Sequence, residues 1–491
     1  MQHKDTKCSR GDVKLPLRVV DVEYDAAPSR IRLYEPNGMS GKYTALSYVW
    51  GKQNHYTTTK SSIDNHRQGI ALDELPKTLQ DAVTLTRKLG VQYLWVDALC
   101  IRQDDGPEWE RESSKMADIY SNAYLTIAAT GSEQATTGLF TQRTLPDYVK
   151  FKYTMDGVQG DIHAFLLQDA LMPFSKGLLS DEPLSKRGWA LQERFLASRN
   201  LHFATDQLFY ECSGHCVSED GFKSQGHFYA VRDPKALEEQ YRGPSLWYHM
   251  LSFYYPRELT KSSDKLPALS GIVRLIEGQT ADKYVAGLWR SQLIEGLTWQ
   301  AMGTMSGKTS APPEYRAPSW SWASMDGPFG YLGLGKDPID TFEKWRDVAT
   351  VIGCHIDLKG ENSYGEITAG WLKIKAPLEP LLPSTEPEPD WETVPHKRAL
   401  RMTTRNGNAF GAYMMFDTLD QDTASELPLS ALVLVQAKGK TGSTYQALIV
   451  TPVDGPHGDY RRVGKVILVD DTLGKCGWMD DDTQLETITL V

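Results

Sequence analysis

The residues best suited to chemistry lie between Tyr93 and Tyr120, in YLWVDALCIRQDDGPEWERESSKMADIY. The apolar run Tyr93-Leu94-Trp95-Val96 has the length and composition of a buried strand, and it closes on Asp97 with Cys100 just beyond. A polar loop from Arg102 to Pro107, containing Gln103, leads into a helix with Pro107 near its start and acidic residues in its first turn, where the helix dipole favours them. At about 100° per residue, Trp109, Glu112, Ser113, Met116, Ile119 and Tyr120 share one face, whereas Glu108, Glu110, Arg111 and Lys115 lie off it. Glu112 is then the glutamate set in the apolar stripe. A carboxylate there must be paired, hydrogen-bonded, neutral or turned into a cleft. It is either a structural ion pair with a nearby arginine or a functional carboxylate at a pocket rim. Ligands of open α/β sheets gather at strand carboxyl ends, which makes Asp97 and Cys100 candidates too. As plain structure, Asp97 would cap the following turn and Cys100 fill a small apolar space.

A second candidate stretch is PLSKRGWALQERFLASR, Pro183 to Arg199. In a helix, Trp189, Gln192, Glu193 and Leu196 share one face and Leu191 and Phe195 another. A helix apolar on two sides is buried, so Gln192 and Glu193 need partners. Stock cofactor motifs are missing. No GxGxxG opens a helix, and no GxSxG elbow or HExxH occurs. Gly330 to Lys336 has P-loop spacing, but Asp337 stands where Ser or Thr is needed and Pro338 where a helix should grow. Cys212, His215 and Cys216, with His202 or His227 nearby, could hold zinc, but the spacing is not a tight paired form and no metal site is expected.

The elements that must position these residues can be read in outline. Leu17 to Val22, Arg30 to Tyr34 and Tyr43 to Gly51 read as strands, the last closing on a Trp50-Gly51 turn. Leu75 to Leu89 is an amphipathic helix, with Pro76 in its first turn and Gly90 ending it. Ala123 to Ala129 is another buried strand, so strands and helices alternate and predict a parallel sheet covered by helices. Strand-like pieces follow near Phe151 and Ile162, then a strand from Gln207 to Cys212. Residues 216–347 read as mainly helical, with helices over Tyr241–Tyr255, Lys265–Glu277 and Asp282–Met302 and an aromatic strand or turn, PSWSWAS, packed on them. From 348 onward, short alternating runs suggest an antiparallel β domain, interrupted by an acidic Pro-rich loop at 383–395.

Composition narrows the function classes. The 53 basic and 63 acidic residues give a net charge of −10, which argues against a nucleic-acid binder resting on phosphate contacts. Six cysteines in 491 residues are too sparse for a disulfide scaffold and fit a reducing cytosol. The first residues, a polar tail over 1–16, have no apolar signal-peptide core. No apolar run approaches the roughly 18 residues that suggest a spanning helix. The expectation is a cytoplasmic protein without membrane insertion.

Three blocks carry a family resemblance: ALSYVWG (Ala45 to Gly51), LWVDALCIRQDD (Leu94 to Asp105) and RGWALQERFLASR (Arg187 to Arg199). They resemble the fungal HET (heterokaryon incompatibility) domain, as do the intervening DAVTLTRKLG, EWERESSKM and NAYLTIAAT. SDKLPALSGI, YVAGLW and RAPSWSWAS, and more weakly YRRVG, are similar to later parts of long HET-domain proteins. Arg102 departs from the uncharged residue usual in the family.

The resemblance implies a HET domain over 17–215 with its core at 43–199, distantly TIR-like and thus flavodoxin-like in fold. It implies a cell-death effector, an innate-immune device triggered when genetically different fungal cells fuse. Some TIR domains cleave NAD⁺ at the nicotinamide bond with one glutamate that follows a Trp by about a turn. Trp109 and Glu112 have nearly that relation, and Ser47-Tyr48 resembles the Ser-Tyr ending the first TIR strand. On this reading Glu112 is catalytic. Ser47, Tyr48, Asp97, Cys100 and Gln103 shape the pocket with Trp109 and Gln192, and Trp50 or Trp189 stacks a ring. Arg187 or Arg194 meets the diphosphate or orients Glu193. NAD⁺ would be the substrate and no cofactor is implied. Self-association and a non-self-recognition partner protein would complete the function. The alternative is a non-enzymatic signalling module whose blocks form a core and a docking surface.

Overall fold

The computed structural model describes residues 11–24, 28–52, 56–143, 148–165, 179–212, 215–221, 223–224, 245–302, 309–331, 344–360, 362–383, 399–403, 409–418, 423–424, 426–438, 443–454, 458–469 and 485–491. The chain divides into two compact units. The first comprises Met1–Gln240, Arg257–Leu259 and Ala268–Ile272, and the second the remainder.

The first unit is built on a ten-stranded mixed sheet. Its strands and main helices are β1 (Val19–Asp21), β2 (Arg30–Tyr34), β3 (Tyr43–Ser47), β4 (Ile70–Ala71), α1 (Lys77–Lys88), β5 (Tyr93–Trp95), α2 (Asp97–Cys100), α3 (Gly106–Ser113), α4 (Met116–Asn122), β6 (Leu125–Ala128), α5 (Gly188–Leu196), β7 (Arg199–Phe203), β8 (Leu208–Cys212), β9 (Cys216–Ser218) and β10 (Lys223–Ser224). The sheet order is β10-β9-β8-β7-β6-β3-β5-β1-β2-β4. The centre, β7-β6-β3-β5, is parallel, with Ala45 opposite Trp95 and Ser47 opposite Ala128. Every residue of β3 and β6 is buried, as expected of strands covered on both faces.

Only this centre matches the expected parallel sheet. Both flanks are antiparallel, so the sheet is mixed. The links from β1 to β2 (residues 22–29) and from β7 to β8 (residues 204–207) are shorter than the roughly one dozen residues a parallel crossover needs, so each strand returns antiparallel. Taken in chain order, the four parallel strands lie second, first, third, fourth across the sheet. The winding reverses between β3 and β6, and a crevice opens at the strand carboxyl ends where winding reverses.

Helix α1 turns Leu79, Ala82 and Val83 inward, and its Thr86 hydroxyl lies 2.7 Å from that of Thr44 on β3. The single helix expected through Tyr120 is broken into α3 and α4. The hydroxyls of Ser113 and Ser114 donate to the carbonyls of Glu110 (3.0 Å) and Arg111 (2.8 Å), competing with the helical ladder at the break. An antiparallel hairpin, Tyr148–Met155 with Val158–Phe165, stands apart from this sheet.

In the second unit, antiparallel strands Ile367–Pro380, Ser430–Lys438, Ser443–Pro452, Tyr460–Val469 and Leu485–Leu490 form the body of a large sheet, with one parallel contact at Tyr460. Helices Ser245–Tyr254 and Ser270–Thr280, the latter with its first three residues counted in the first unit, form near two of the expected positions. The helix expected over Asp282–Met302 does not. Ala286 (φ 49°) and Gly287 (φ 93°) turn the chain into a small hairpin, Tyr284–Val285 with Leu288–Trp289, followed by a one-turn helix, Leu293–Gly296. A Cβ on Gly287 would lie 2.6 Å from Trp322 Nε1, so the turn is fitted to the aromatic core. The PSWSWAS segment is a turn, with a 3₁₀ helix over Trp322–Ser324. The Pro-rich loop beyond Pro383, most of the P-loop-like run and His227 lie outside the described residues.

Candidate functional site

Ser47 ends β3, Asp97 follows β5, and Glu193 sits on α5, which precedes β7; the structure brings all three to the carboxyl edge of the parallel strands. The Ser47 hydroxyl donates a hydrogen bond to Glu193 Oε2. Trp50 Nε1 donates to Asp97 Oδ2 at 3.0 Å, and the Ala98 amide to Asp97 Oδ1 at 2.7 Å. The Arg187 guanidinium donates to the Tyr48 carbonyl, and its charge reaches both Asp97 and Glu193. The Tyr120 hydroxyl bonds the Leu46 carbonyl at 3.1 Å and also reaches Glu193. Three sequence blocks scores of residues apart therefore converge on two carboxylates and one arginine.

The electrostatics follow from enclosure. Burial raises the affinity of Glu193 for its proton; Arg187 and the Ser47 bond offset this, and nearby Asp97 adds to it. Asp97 is raised for the same first reason, with Arg187 opposing. Two acids facing one cation share a proton more readily than either alone. Tyr48 and Tyr120 are held well above their ordinary values by burial, so both remain neutral hydrogen-bonding groups.

A void of about 10 Å³ lies against this cluster, lined in part by Ser47, Ala128, Thr130, Arg194, Asn200 and His202. That is the space of a single water. Asn200 Oδ1, which borders the void, has no hydrogen-bond partner. The segment Pro183–Lys186 and residues Arg257 and Glu258 meet here. Arg257 Nη1 donates to the Arg187 carbonyl at 3.1 Å, and the Gly188 amide to the Glu258 carbonyl at 2.8 Å.

The remaining candidates have other partners. Glu112 is buried, but it does not line the void at the carboxyl edge. It borders a separate cavity of about 440 Å³ with Tyr43, the first residue of β3, and with Leu15, Leu17, Lys115 and Ile119. Its partners are Lys115 at 2.8 Å and Arg111 at 3.8 Å. Gln103 pins its own loop, donating to the carbonyls of Asp97 (3.1 Å) and Ile101 (3.0 Å). Cys100 is buried, and its thiol is pushed up to about 12, which leaves it unreactive. Trp109 and Trp189 pack edge to face at 6.2 Å. Gln192 Oε1 accepts from the Gly271 amide at 3.1 Å, while its Nε2 finds no partner. Arg194 pairs with Glu211 at 2.8 Å.

Two buried networks were not anticipated. Glu108, placed off the apolar face by the sequence phase, is 2% exposed. It accepts from Arg18 at 2.7 and 2.8 Å and from Arg102 Nε at 2.6 Å. Burial alone would raise its pKa, but the Arg18 and Arg102 bonds outweigh it and hold the carboxyl at about 2. Glu108 lies one helical turn before Glu112, so the same periodicity could have found it. Glu211 accepts from His202 Nε2 at 3.1 Å as well as from Arg194, and His202 Nδ1 lies 3.0 Å from the Thr130 hydroxyl. Glu211 stands two residues after buried Phe209, and that charge at an inward strand position was the readable signal. The same bonding engages His202; Cys212 and Cys216 are buried and in no disulfide, and Cys212 Sγ lies 3.6 Å from His215 Nδ1. No cluster of His, Cys, Asp and Glu able to hold a metal occurs among the described residues. No helix among them is long and apolar enough to cross a membrane.

Comparison with known proteins matches the segment that contains these blocks. Residues 43–193 match the family model described as heterokaryon incompatibility protein (HET). Among curated proteins, heterokaryon incompatibility protein 6, OR allele, of Neurospora crassa is 33% identical over 97 residues, which cover 18% of this chain and 14% of that protein. No solved structure matches. The segment that carries the Ser47–Asp97–Glu193 cluster, residues 43–193, is thus a HET domain.

Proposed function

We propose that this chain is an effector of a fungal incompatibility response, and that its HET domain kills by cleaving NAD⁺ at the nicotinamide–ribosyl bond with Glu193, rather than Glu112, as the acting carboxylate. The observation that carries this is the convergence of Ser47, Asp97, Arg187 and Glu193 at the carboxyl edge, where the winding of the sheet reverses. The strand order also supports a TIR- and flavodoxin-like kinship. The free thiols among the described residues suit a reducing cytosol.

In this reading the C1′–N bond of NAD⁺ breaks with its electron pair passing to nicotinamide, which leaves neutral and needs no acid. The ribosyl cation left behind is stabilised by ionised Glu193, as carboxylates do in glycosidases. Water then attacks C1′ and gives its proton to the Asp97–Glu193 pair. Arg187 keeps at least one of the two ionised. Asn200 Oδ1 offers an unused acceptor to a ribose hydroxyl. Access requires that Pro183–Lys186 and Arg257–Glu258 move aside, since the void holds one water.

A non-enzymatic signalling module is the second reading, favoured by that small void and by the hydrogen bonds already made to Asp97 and Glu193. The two readings separate on nicotinamide release from NAD⁺ by the purified chain. Release that falls at least about a hundredfold in Glu193→Gln and persists in Glu112→Gln is the expected result. No release by the wild type at any protein concentration, or equal loss in Glu112→Gln alone, would remove Glu193 from the role.

A further inference from the structure

The hairpin Tyr148–Met155/Val158–Phe165 pairs with no other described strand. Its turn, Asp156 (φ 51°) and Gly157 (φ 77°), has both central residues left-handed, the geometry that matches strand twist in tight hairpins. Register places Met155 opposite Val158, Tyr153 opposite Gly160, Phe151 opposite Ile162 and Val149 opposite Ala164. Opposed residues point to the same side, so these eight form one continuous apolar face. The other side carries Lys150, Lys152, Thr154, Gln159 and Asp161, with Lys150 paired to Asp161 at 2.8 Å.

That apolar face is open. Val149 is 61%, Phe151 54%, Met155 68%, Val158 64% and Ile162 51% exposed. Together with Tyr153 they present on the order of 600 Å², the size at which an exposed apolar patch marks an interaction site. A lone two-stranded hairpin is at best marginally stable in water, so an uncovered amphipathic one needs a cover.

The geometry points to a second copy of this chain as that cover, the two hairpins packing apolar face to apolar face. Two such faces would bury about 1,200 Å² in total, the lower bound of a specific interface. Charge favours the same partner. The chain as a whole carries −10, but in the hairpin Lys150 and Lys152 balance Asp156 and Asp161, so two copies can meet there without like-charge repulsion. The same balance gives no excess of positive charge to draw the hairpin to an anionic lipid surface. Neither the dimer nor its test depends on NAD⁺ cleavage.

Sedimentation of the full chain from about 1 to 100 µM tests this. The wild type should pass from monomer to dimer over that range. The double variant Phe151→Asp/Ile162→Asp should weaken dimerisation at least about a hundredfold while its circular dichroism and melting profile stay those of the wild type. A wild type that stays monomeric throughout, or a double variant that dimerises equally well, would overturn the inference. So would a monomer that floats with neutral phosphatidylcholine vesicles and loses that binding in the double variant, since the cover would then be lipid.

Discussion

Two glutamates one helical turn apart show how local surroundings decide what a carboxylate does. Glu112 pairs directly with a half-exposed lysine at the border of a cavity, whereas Glu108 is clamped between Arg18 and Arg102. The Arg102 that departs from the family pattern is therefore half of a clamp. Removing one partner of a buried pair leaves the other charge stranded, so Glu108→Gln should cost roughly 3–5 kcal/mol at neutral pH. The sign of its pH dependence is set by the lowered pKa. The folded carboxyl, at about 2, lies below its ordinary 4.5, so its contribution is complete above 4.5 and drains away as pH falls towards 2. Urea unfolding at a series of pH values should show wild type and variant far apart at pH 7 and converging below pH 4.5. A gap unchanged down to pH 2 would mean that the clamp is not ionic. Glu193 and Asp97 run the opposite way: their raised pKa values contribute stability at low pH that is lost as pH rises past the ordinary carboxylate range.

At the scale of elements, the site depends on how closely β6 and β7 run out together. Just past β6, the Gly131 amide donates to the Phe203 carbonyl at 2.7 Å. A Cβ on Gly131 would lie 2.7 Å from the Thr205 nitrogen and 2.9 Å from the Ala204 carbonyl carbon. Those are backbone atoms and cannot swing aside. Gly131→Ala should therefore destabilise the domain by about 1–3 kcal/mol and disturb Thr130, which lines the void, although it alters no polar group. Thermal unfolding indistinguishable from wild type would show that the turn has slack. The elements themselves were legible where periodicity or punctuation was strong: β2 falls at its expected bounds, and α1 starts after Pro76 and stops before Gly90. They were not legible where local chemistry competed with periodicity, as at Ser113-Ser114, or where Ala286-Gly287 reversed the chain within an apolar run.

At the scale of the whole molecule, each unit carries its own buried ionic anchor. In the second unit, Arg462, from the YRRVG motif, is buried and paired to Asp417 at 2.9 Å. It donates to the carbonyls of Leu297 (2.7 Å) and Trp299 (2.6 Å), and its guanidinium lies 3.3 Å from the Trp299 ring centre. Lysine lacks the planar fork these partners use. Arg462→Lys should therefore destabilise the second unit by about 3–5 kcal/mol. Hydrogen exchange should report it as lost protection in Tyr460–Val469 with protection of β3 and β6 retained. Equal loss of protection in β3 and β6 would show that the two units unfold as one.

By itself the sequence determined the alternation of strands and helices up to β6, the family resemblance, and the three blocks that hold its polar residues, but it missed the central strand β7. These are properties of local pattern: alternation, helical phase, glycine and proline punctuation. Only the tertiary structure decided which carboxylate stands with which cation. Burial pairs residues by distance in space, so Glu193 met Ser47 within reach of the Arg187 charge, while Arg194 met Glu211. Helical phase could say that Glu112 faces inward, but not that it opens at the end of β3 opposite to Ser47. That depended on the sheet order, because the direction of a helix against its strand decides which edge its side chains reach.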